Sequence, residues 1–470
     1  MIATRRRRRR AARKKFIADG VTPIAVYLAL AKARPGVSFL FESAPSSEAT
    51  SRFSVIGLGA LGELRVADGA CHLVIDGRAV PDAGRAPLSA ARRLMAELRP
   101  AEEAIADMPF FGAYGAAAFE FAGYLERLPS LPRGDDPMPD LHLVVPETLV
   151  VFDHFTHRVS VGTLADASDE IRADADVLDA IGRAQVAPLG GRLGAPALVE
   201  EAVRPSLSFE QAAVRAKEGI AAGDAYQIVL SRRWNVRARI APFDAYRTLR
   251  AINPSPYMFY LDFGWGQLLG SSPEMLARLD RRRACVRPLA GTRSRSGDPD
   301  GDRREAAELK RDPKERAEHV MLLDLGRNDV GRVSRFGSVR TTRLFEVERY
   351  SHVMHLMSEV VGSLRSECDA FDLFAATFPA GTVSGAPKIR AIELIAELES
   401  ARRGFYAGSV AHFGFDGSME ACITLRSAHA RDGRFVVQAG AGIVADSEPA
   451  AESRECAAKA RAVMQALGAE

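Results

Sequence analysis

Two pairs of glutamates have the spacing of a metal-binding face. Glu315 with Glu318, and Glu452 with Glu455, stand three positions apart in stretches that predict helices, so the carboxylates of each pair share one helical face. Mg²⁺ takes carboxylate oxygens, and one or two suffice when water and an anionic ligand complete its coordination. Isolated pairs of this kind are usually solvated surface charge, but Glu318 adjoins His319 and an apolar stripe. We interpret the four glutamates as a candidate Mg²⁺ site.

Groups that can bind anions or transfer protons are scattered through the second half of the chain. Arg426 ends the apolar run MEACITLR, Tyr406 lies in GFYAGS, and Glu274 lies in the turn SSPE. His355 alternates with apolar residues in HVMHLMSEV. A single histidine on a strand is usually structural and a single arginine usually forms a surface ion pair, so residue type alone leaves structural and catalytic roles open.

Two glycine-containing segments do not match nucleotide-binding motifs. PAGTVSGAPK, which contains Thr382, precedes a predicted helix whose N-terminus can bind an anion, but its spacing differs from that of a phosphate loop. Gly440-Ala441-Gly442 lacks the third glycine of a dinucleotide fingerprint. The chain also has no GxSxG elbow and no HExxH motif. Neither ATP nor NAD is indicated.

Strands and helices alternate around these residues. The N-terminal half consists of short apolar runs of strand length, and the second half has long hairpin-forming strands interspersed with amphipathic helices. AYQIVLSRRWNVRARI predicts a pair of strands, and Ser208 with Gln211 has the spacing of a capping box at a helix start. This order of elements predicts an α+β fold.

Composition divides the chain into four segments. They are a basic, disordered leader over residues 1–15, a β-rich region over 16–186, an Ala-, Gly- and Pro-rich linker over 187–205, and the main domain over 206–467.

Charge and cysteine content limit the class of protein. Of the 470 residues, the first fifteen hold nine basic ones, so the net charge of +3 becomes −6 for the rest. A basic arm can bind nucleic acid or a membrane surface, but no aromatic residue interrupts Arg5–Arg10, and we predict neither partner. No stretch resembles a signal peptide or a membrane span. Five scattered cysteines predict reduced thiols and a cytoplasmic protein.

Taken in order, the motifs resemble those of the chorismate-utilising enzymes. The resemblance runs from about residue 209 to 467 and is carried by GDAYQIVLSRR, GSSPEML, RPLAGTR, AEHVMLLDLGRNDVGR, FPAGTVSGAPKIRAIELI, ACITLR and GAGIVADSEP. FLFESA, SRFSVIG and NPSPYM are similar to inhibitor-binding elements of the anthranilate-forming large subunits in this family. The resemblance implies large antiparallel β-sheets flanked by helices, with an N-terminal β-rich regulatory portion.

The resemblance also implies a role for each candidate residue. Glu318 and Glu455 would bind Mg²⁺, supported by the other glutamate of each pair, and the ion would hold the ring carboxylate of chorismate. Glu274 would be the general acid and His355 the general base, with Thr382 in the same pocket. The chorismate-binding residues would be Gly291, Thr292, Tyr406, Arg426, Gly440, Ala441, Gly442 and Lys459.

Two positions indicate which nucleophile the pocket uses. Gln227 stands where relatives that add water carry an activating lysine, and Ala290 stands where other relatives carry a nucleophilic lysine. Ammonia is then the expected nucleophile, with anthranilate and pyruvate as products. An aminodeoxychorismate synthase, which keeps the pyruvate, is the alternative within the family. A regulatory or nucleic-acid-associated module that uses the basic leader is the alternative from another class.

The same resemblance implies partners and an inhibitor. A glutamine amidotransferase subunit would supply the ammonia, in a hetero-oligomer of two large and two small subunits. Tryptophan would be a feedback inhibitor bound by Ser43 together with Pro256, Tyr257 and Met258.

Overall fold

The computed structural model describes residues 10–44, 52–81, 83–108, 110–129, 131–132, 138–165, 177–184, 198–201, 207–349, 353–399 and 401–469. Its strands are β1 (Arg10–Ile17), β2 (Ser38–Glu42), β3 (Phe53–Leu58), β4 (Gly62–Ala67), β5 (Ala70–Ile75), β6 (Arg78–Ala79), β7 (Gly112–Ala117), β8 (Leu141–Val145), β9 (Thr148–Asp153), β10 (Arg158–Ala165), β11 (Leu198–Glu201), β12 (Gln227–Arg237), β13 (Tyr257–Asp262), β14 (Gln267–Ser272), β15 (Met275–Asp280), β16 (Arg283–Val286), β17 (Leu289–Ser294), β18 (Arg340–Arg349), β19 (Val353–Ser363), β20 (Gly385–Ala386), β21 (Ser409–Gly414), β22 (Met419–Ile423), β23 (Ser427–Arg431) and β24 (Arg434–Ile443).

The helices lie between and after these strands. They are α1 (Pro23–Ala33), α2 (Pro87–Leu98), α3 (Glu102–Asp107), α4 (Ala122–Leu125), α5 (Phe209–Ala221), α6 (Pro242–Ile252), α7 (Pro299–Arg311), α8 (Pro313–Gly331), α9 (Ala370–Thr377), α10 (Gly381–Ser384), α11 (Lys388–Leu398) and α12 (Pro449–Ala466). The predicted capping box is confirmed: the Ser208 hydroxyl accepts from the Gln211 N–H, and the Gln211 side chain accepts from the Ser208 N–H. Among the residues with described positions, no helix is both long and apolar enough to cross a bilayer.

Two large antiparallel sheets form the scaffold, which confirms the predicted fold class. The first sheet has the strand order β1-β10-β9-β3-β2-β13-β14-β23-β24-β12-β11, with β20 beside β12. The second has the order β17-β19-β16-β15-β22-β21-β7-β8-β4-β5-β6, with β18 beside β19. Strands alternate faces: Phe39 of β2 contributes to the core between the sheets and stacks on Tyr114 of β7 at 4.4 Å, whereas Leu40 packs in a second core beneath α1, α6 and α12.

The boundary predicted at residues 187–205 does not separate two structural units. Strand β2, from the N-terminal half, pairs with β13, and β7 pairs with β21. Strand β11 lies inside the predicted linker and pairs with β12. The boundary was predicted because apolar periodicity is lost along this stretch of the chain. Strand β11 forms there nevertheless, because an edge strand needs only one partner strand for its backbone hydrogen bonds and does not need an apolar face.

The prediction of a disordered leader is wrong for residues 10–15. They form part of β1, which pairs with β10 from Arg10 opposite Ala165 to Ile17 opposite Arg158. The open edge of β10 accepts backbone hydrogen bonds whatever the side-chain charge, and basic side chains are common on edge strands because they discourage further pairing. Residues 1–9 lie outside the described part of the chain.

The run AYQIVLSRRWNVRARI contains one long strand, β12, where a pair was predicted. Strand β12 pairs continuously with β24, from Ile228 opposite Ile443 to Arg237 opposite Arg434. The polar residues Ser231 to Arg233 remain in this ladder, and Ser231 is held by Glu399 through both its N–H and its hydroxyl. The continuous pairing places Gln227 at the end of β12 that approaches α8.

Candidate active site

Helices α8 and α12 bring the two glutamate pairs together beside the end of β12. The Gln227 Nε2 atom lies 3.5 Å from Glu318 Oε1. Lys459 binds Glu455 Oε1 at 2.6 Å and the Gly440 carbonyl at 3.1 Å, which ties α12 to β24. The two glutamate pairs that the sequence singled out therefore lie near each other in the folded chain.

The carboxylates form a crowded anionic cluster. Burial, followed by repulsion from Glu315, raises the pKa of Glu318, and Glu455 adds a further repulsion. Burial also raises the pKa of Glu452, again with a contribution from Glu455. Glu315 is already paired with Arg293 at 3.1 Å, which suits a supporting position better than a ligand.

The donor set fits a hard divalent cation. Within the described residues, no three acidic, histidine or cysteine side chains converge closely enough to hold a metal alone. Mg²⁺ needs only one or two carboxylates when water and a substrate carboxylate are present. The Lys459 ammonium already places positive charge in this cluster. Gly291, at φ 65°, leaves room for the cluster, because a Cβ there would lie 2.7 Å from Glu315 Oε2.

Glu274 is held in a buried turn that begins after β14. Its carbonyl accepts from the Ile423 N–H at 3.0 Å, and its side chain lines a cavity of about 390 Å³ with Thr382 and the apolar residues Leu322 and Leu325. Burial raises the pKa of Glu274 to about 7, although the Thr382 hydroxyl and the Lys459 charge oppose part of this effect. The side chain can therefore be a proton donor near neutral pH.

His355 lies on β19 next to β17. Its Nδ1 atom is 3.0 Å from the Gly291 carbonyl, and its backbone is in register with Thr292. Burial, with smaller contributions from the charges of Arg426 and Lys459, lowers the pKa of His355 to about 4, although the Gly291 carbonyl opposes part of this effect. The imidazole is neutral near pH 7 and can accept a proton, so Glu274 and His355 have the opposite protonation states that acid–base chemistry needs.

Tyr406 approaches the 440–442 segment of β24, and both were predicted to bind the substrate. A Cβ on Gly440 would lie 2.4 Å from the Tyr406 hydroxyl, so only glycine allows this approach. Gly442 is similarly close to the Gln227 side chain. The Ala441 side chain packs in the core beneath α12, on the other face of β24. The prediction for Ala441 can therefore hold only through its backbone.

Asn253, which the sequence did not single out, contacts the predicted site residue Arg426. Its Oδ1 atom accepts from Arg426 Nη1 at 3.2 Å, and its Nδ2 atom donates to Ser255 Oγ at 3.2 Å. Arg426 has a positive φ of 47°, so this contact helps to orient an arginine on an unusual backbone. The motif NPSPYM contains Asn253, but it drew attention only to the residues that follow.

A buried ion pair joins α8 to the segment that carries Thr382. Lys388, the first residue of α11, donates to Asp329 at 2.8 Å and to the Thr377 carbonyl at 3.2 Å. Asp329 lies on α8, and both it and Thr377 line the Glu274 cavity. The pair therefore connects the helix of Glu315 and Glu318 to the Thr382 turn.

Lys388→Met is expected to destabilise the protein by about 3–5 kcal/mol, because it leaves Asp329 buried without its counter-charge. The shift in the denaturation midpoint measures this loss. The double variant Lys388→Met/Asp329→Leu removes both charges and should recover most of the stability. A loss below about 1 kcal/mol in the single variant would contradict a closely coupled buried pair.

The four residues predicted to bind the inhibitor line a separate cavity of about 770 Å³. Ser43, Pro256, Tyr257 and Met258 meet there because β2 and β13 are adjacent, with Met258 in register with Glu42. The other lining residues are Phe41, Glu42, Phe53, Val55, Phe110, Tyr114, Phe259, Val410, His412, Glu420 and Cys422.

Comparisons with known proteins agree with this arrangement. The family described as chorismate binding enzyme matches residues 38–465, so the fold and the site define a chorismate-binding enzyme. The anthranilate synthase component 1 of Thermus thermophilus is 46% identical over 461 residues, or 97% of each chain. That of Streptomyces coelicolor is 44% identical over 473 residues, or 97% of this chain and 88% of the relative. The crystal structure of anthranilate synthase component I from Streptococcus pneumoniae is 35% identical, covers 90% of this chain and 94% of its own, and has a TM-score of 0.77. The chain belongs to the anthranilate synthase component 1 branch of this family.

Proposed function

We propose that the chain converts chorismate and ammonia to anthranilate, pyruvate and water, as the large subunit of a two-component enzyme. The position of Gln227 is the observation that carries this proposal. Its amide lies 3.5 Å from Glu318 at the edge of the carboxylate cluster, and an amide cannot act as the general base that activates water. The names of the relatives support the same reaction.

In the first step, ammonia forms a bond to ring carbon C2, the ring double bonds shift, and the C4 hydroxyl is expelled; the nitrogen then loses its extra proton to solvent. Glu274 protonates the leaving oxygen, which departs as water. Mg²⁺ bound by Glu318 and Glu455 would supply positive charge to the ring carboxylate. Tyr406 and Arg426 would hold the second carboxylate of the substrate, because a guanidinium and a phenol can both donate to it.

The second step aromatises the ring. His355, neutral because burial lowers its pKa to about 4, accepts the proton from C2. The electrons of that C–H bond restore the aromatic ring as the bond to the enolpyruvyl oxygen breaks, and pyruvate leaves after proton uptake at its methylene carbon. The contact with the Gly291 carbonyl orients the imidazole for this transfer.

These assignments predict how kcat/KM depends on pH. The rate is first expressed per concentration of unprotonated ammonia, so that the protonation of ammonia itself does not contribute. Glu274 must be protonated, and its pKa is about 7, so the rate falls by about tenfold per pH unit above that value. His355 must be neutral, and its pKa is about 4, so it does not limit the rate above pH 5. The Glu274→Gln variant should lack the alkaline decline, and a decline that persists unchanged would assign it to another group.

We further propose that a glutamine amidotransferase supplies the ammonia, in an assembly of two large and two small subunits. The designation of the relatives as component 1 supports a second component. The five cysteines are free, which supports residence in the reducing cytoplasm.

We propose tryptophan as the inhibitor that occupies the 770 Å³ cavity, which is lined by aromatic side chains and by Ser43. Ser43→Phe should abolish tryptophan inhibition while anthranilate formation continues, because the larger side chain fills the cavity. Initial rates with and without tryptophan measure the effect. Inhibition that survives at the wild-type concentration would place the inhibitor elsewhere.

Anthranilate fluorescence tests the function directly. Purified protein is incubated with chorismate, Mg²⁺ and ammonium, with and without tryptophan. The expected result is fluorescence that requires chorismate, ammonium and Mg²⁺ together. Chorismate consumption without fluorescence or pyruvate would instead indicate the aminodeoxychorismate synthase reaction.

A further inference from the structure

A buried arginine lies in the turn that carries Tyr406. Arg403 stands three residues before Tyr406, and its side chain is buried. Its Cζ atom lies 5.7 Å from the centre of the Tyr406 ring and 4.5 Å from the centre of the Phe119 ring. A cation over the face of an aromatic ring is attracted to that ring. The guanidinium therefore contacts the side chain that we propose binds the second substrate carboxylate.

Four hydrogen bonds fix the guanidinium in place. Its Nε and Nη2 atoms donate to the two carboxylate oxygens of Glu399 at 2.8 and 2.7 Å, so the ion pair is bidentate. Nη2 also donates to the Val229 carbonyl at 2.6 Å, and Nη1 donates to the Val383 carbonyl at 2.8 Å. A planar guanidinium can bridge these groups at once because its donors point in fixed directions, and a lysine ammonium cannot reproduce that fork.

Two of these acceptors belong to elements that carry candidate site residues. Val229 of β12 is in register with Gly442 of β24. Val383 directly follows Thr382 in α10. Through its hydrogen bonds and its ring contact, Arg403 therefore connects β12, α10 and the turn that carries Tyr406.

Glu399 extends this connection to the position that the Tyr406 hydroxyl approaches. Its Oε1 atom accepts from the N–H and the hydroxyl of Ser231 at 2.8 and 2.9 Å, and Ser231 is in register with Gly440. A Cβ on Gly440 would lie 2.4 Å from the Tyr406 hydroxyl. The pair of Arg403 and Glu399 therefore contacts both the Tyr406 ring and the strand that lies next to its hydroxyl.

We propose that Arg403 is a positioning residue that holds the Tyr406 hydroxyl where it can donate to the second carboxylate of the substrate. This inference rests on the proposed binding of chorismate at Tyr406. Stability is a weaker explanation for the buried pair, because desolvation offsets much of the attraction between two buried charges. Directional hydrogen bonds to several segments instead fix where those segments lie relative to one another.

A double-variant cycle on the KM for chorismate tests the proposal, with ammonia and Mg²⁺ at saturation. Arg403→Lys keeps the charge but loses the fork, and it should raise this KM by at least about tenfold, the effect of one hydrogen bond to a charged group. In a Tyr406→Phe background there is no hydroxyl to position, so the same substitution should raise the KM by less than about threefold. A merely structural role would raise the KM equally in both backgrounds.

Arg402→Lys is the matched control, because Arg402 is the neighbouring arginine and its side chain is also largely buried. Its side chain donates to acceptors in the N-terminal half of the chain: Glu120, Asp140 and the Met138 carbonyl. This substitution should leave the KM for chorismate within about twofold of the wild type. A rise equal to that of Arg403→Lys would attribute the effect to a general disturbance and overturn the proposal.

Two further results would also overturn it. One is a rise in KM from Arg403→Lys that is the same with and without the Tyr406 hydroxyl, and the other is a KM that Tyr406→Phe leaves unchanged. If Arg403→Lys does not fold, Glu399→Gln decides, because an amide has one acceptor oxygen and breaks the bidentate pair; the same dependence on the Tyr406 hydroxyl is expected. Absence of anthranilate formation by the wild type would remove the proposed function, and this inference with it.

Discussion

Glu274→Gln is expected to lower kcat by about 10²–10⁴-fold, the range for loss of a general acid. The amide preserves the shape of the buried side chain but cannot protonate the departing hydroxyl. Steady-state anthranilate fluorescence at saturating chorismate measures the loss. Activity within about fivefold of the wild type would assign the proton to another donor.

The same substitution should stabilise the fold at alkaline pH, which separates lost chemistry from lost structure. Burial holds the pKa of Glu274 at about 7, above its ordinary 4.5. The folded state therefore binds the proton more tightly than the unfolded state, and stability falls as the pH rises from 4.5 to 7. Glutamine has no charge to bury. At pH 8 the free energy of unfolding of the variant should therefore exceed that of the wild type by up to about 3 kcal/mol. At pH 4 the two proteins should differ little in stability.

Asp262→Asn is the matched control for Glu274. Burial also raises the pKa of Asp262, but this residue lies at the opposite end of the β13–β14 hairpin. Its Oδ1 atom accepts from the Gly264 N–H and from Gln267, and an asparagine oxygen can replace it. We expect nearly wild-type turnover, so a large loss here would indicate that neutralising any buried acid disturbs the enzyme.

Glu318→Gln is expected to reduce Mg²⁺-dependent turnover by about 10³-fold or more, because metal polarisation of a substrate carboxylate contributes several kcal/mol. An amide oxygen is a weaker ligand for a hard cation, and the substitution removes negative charge from the centre of the cluster. Glu455→Gln should act similarly and also release Lys459, which it binds at 2.6 Å. Rates measured against Mg²⁺ concentration should show a loss of saturable activation.

Glu448→Gln controls for the change in net charge. Glu448 precedes α12, is exposed, and its side chain does not cap the helix. Its substitution should leave the Mg²⁺ dependence unchanged. Wild-type activation by Mg²⁺ in both Glu318→Gln and Glu455→Gln would remove the metal assignment, whereas equal losses in Glu448→Gln would attribute the effect to charge alone.

The glutamate pairs and the capping box could be predicted because both depend on local spacing. Three positions along a helix place Glu315 and Glu318 on one face wherever the helix lies, and the Ser208–Gln211 pattern satisfies hydrogen bonds within one turn. The role of Ala441 was predicted less well. A strand alternates its faces, so Ala441 between two site glycines must direct its side chain away from the site.

The errors arose where distant backbone pairing outweighed side-chain character. Basic residues 10–15 suggested disorder, but the edge of β10 holds them in β1. The run AYQIVLSRRWNVRARI was predicted to form two strands, but β24 pairs along β12 from Ile228 to Arg237. In both segments, the hydrogen bonds depend on a partner strand more than a hundred residues away in the chain.

By itself, the sequence determined the family and the α+β class, and it singled out the carboxylates, imidazole and guanidinium of the candidate site, because motif spacing and helical periodicity are local properties. Only the tertiary structure decided that both halves share both sheets, that Asn253 contacts Arg426, and that Glu274 and His355 have opposed pKa shifts. Burial and cross-strand register produce these properties, and both depend on which distant residues the folded chain brings together.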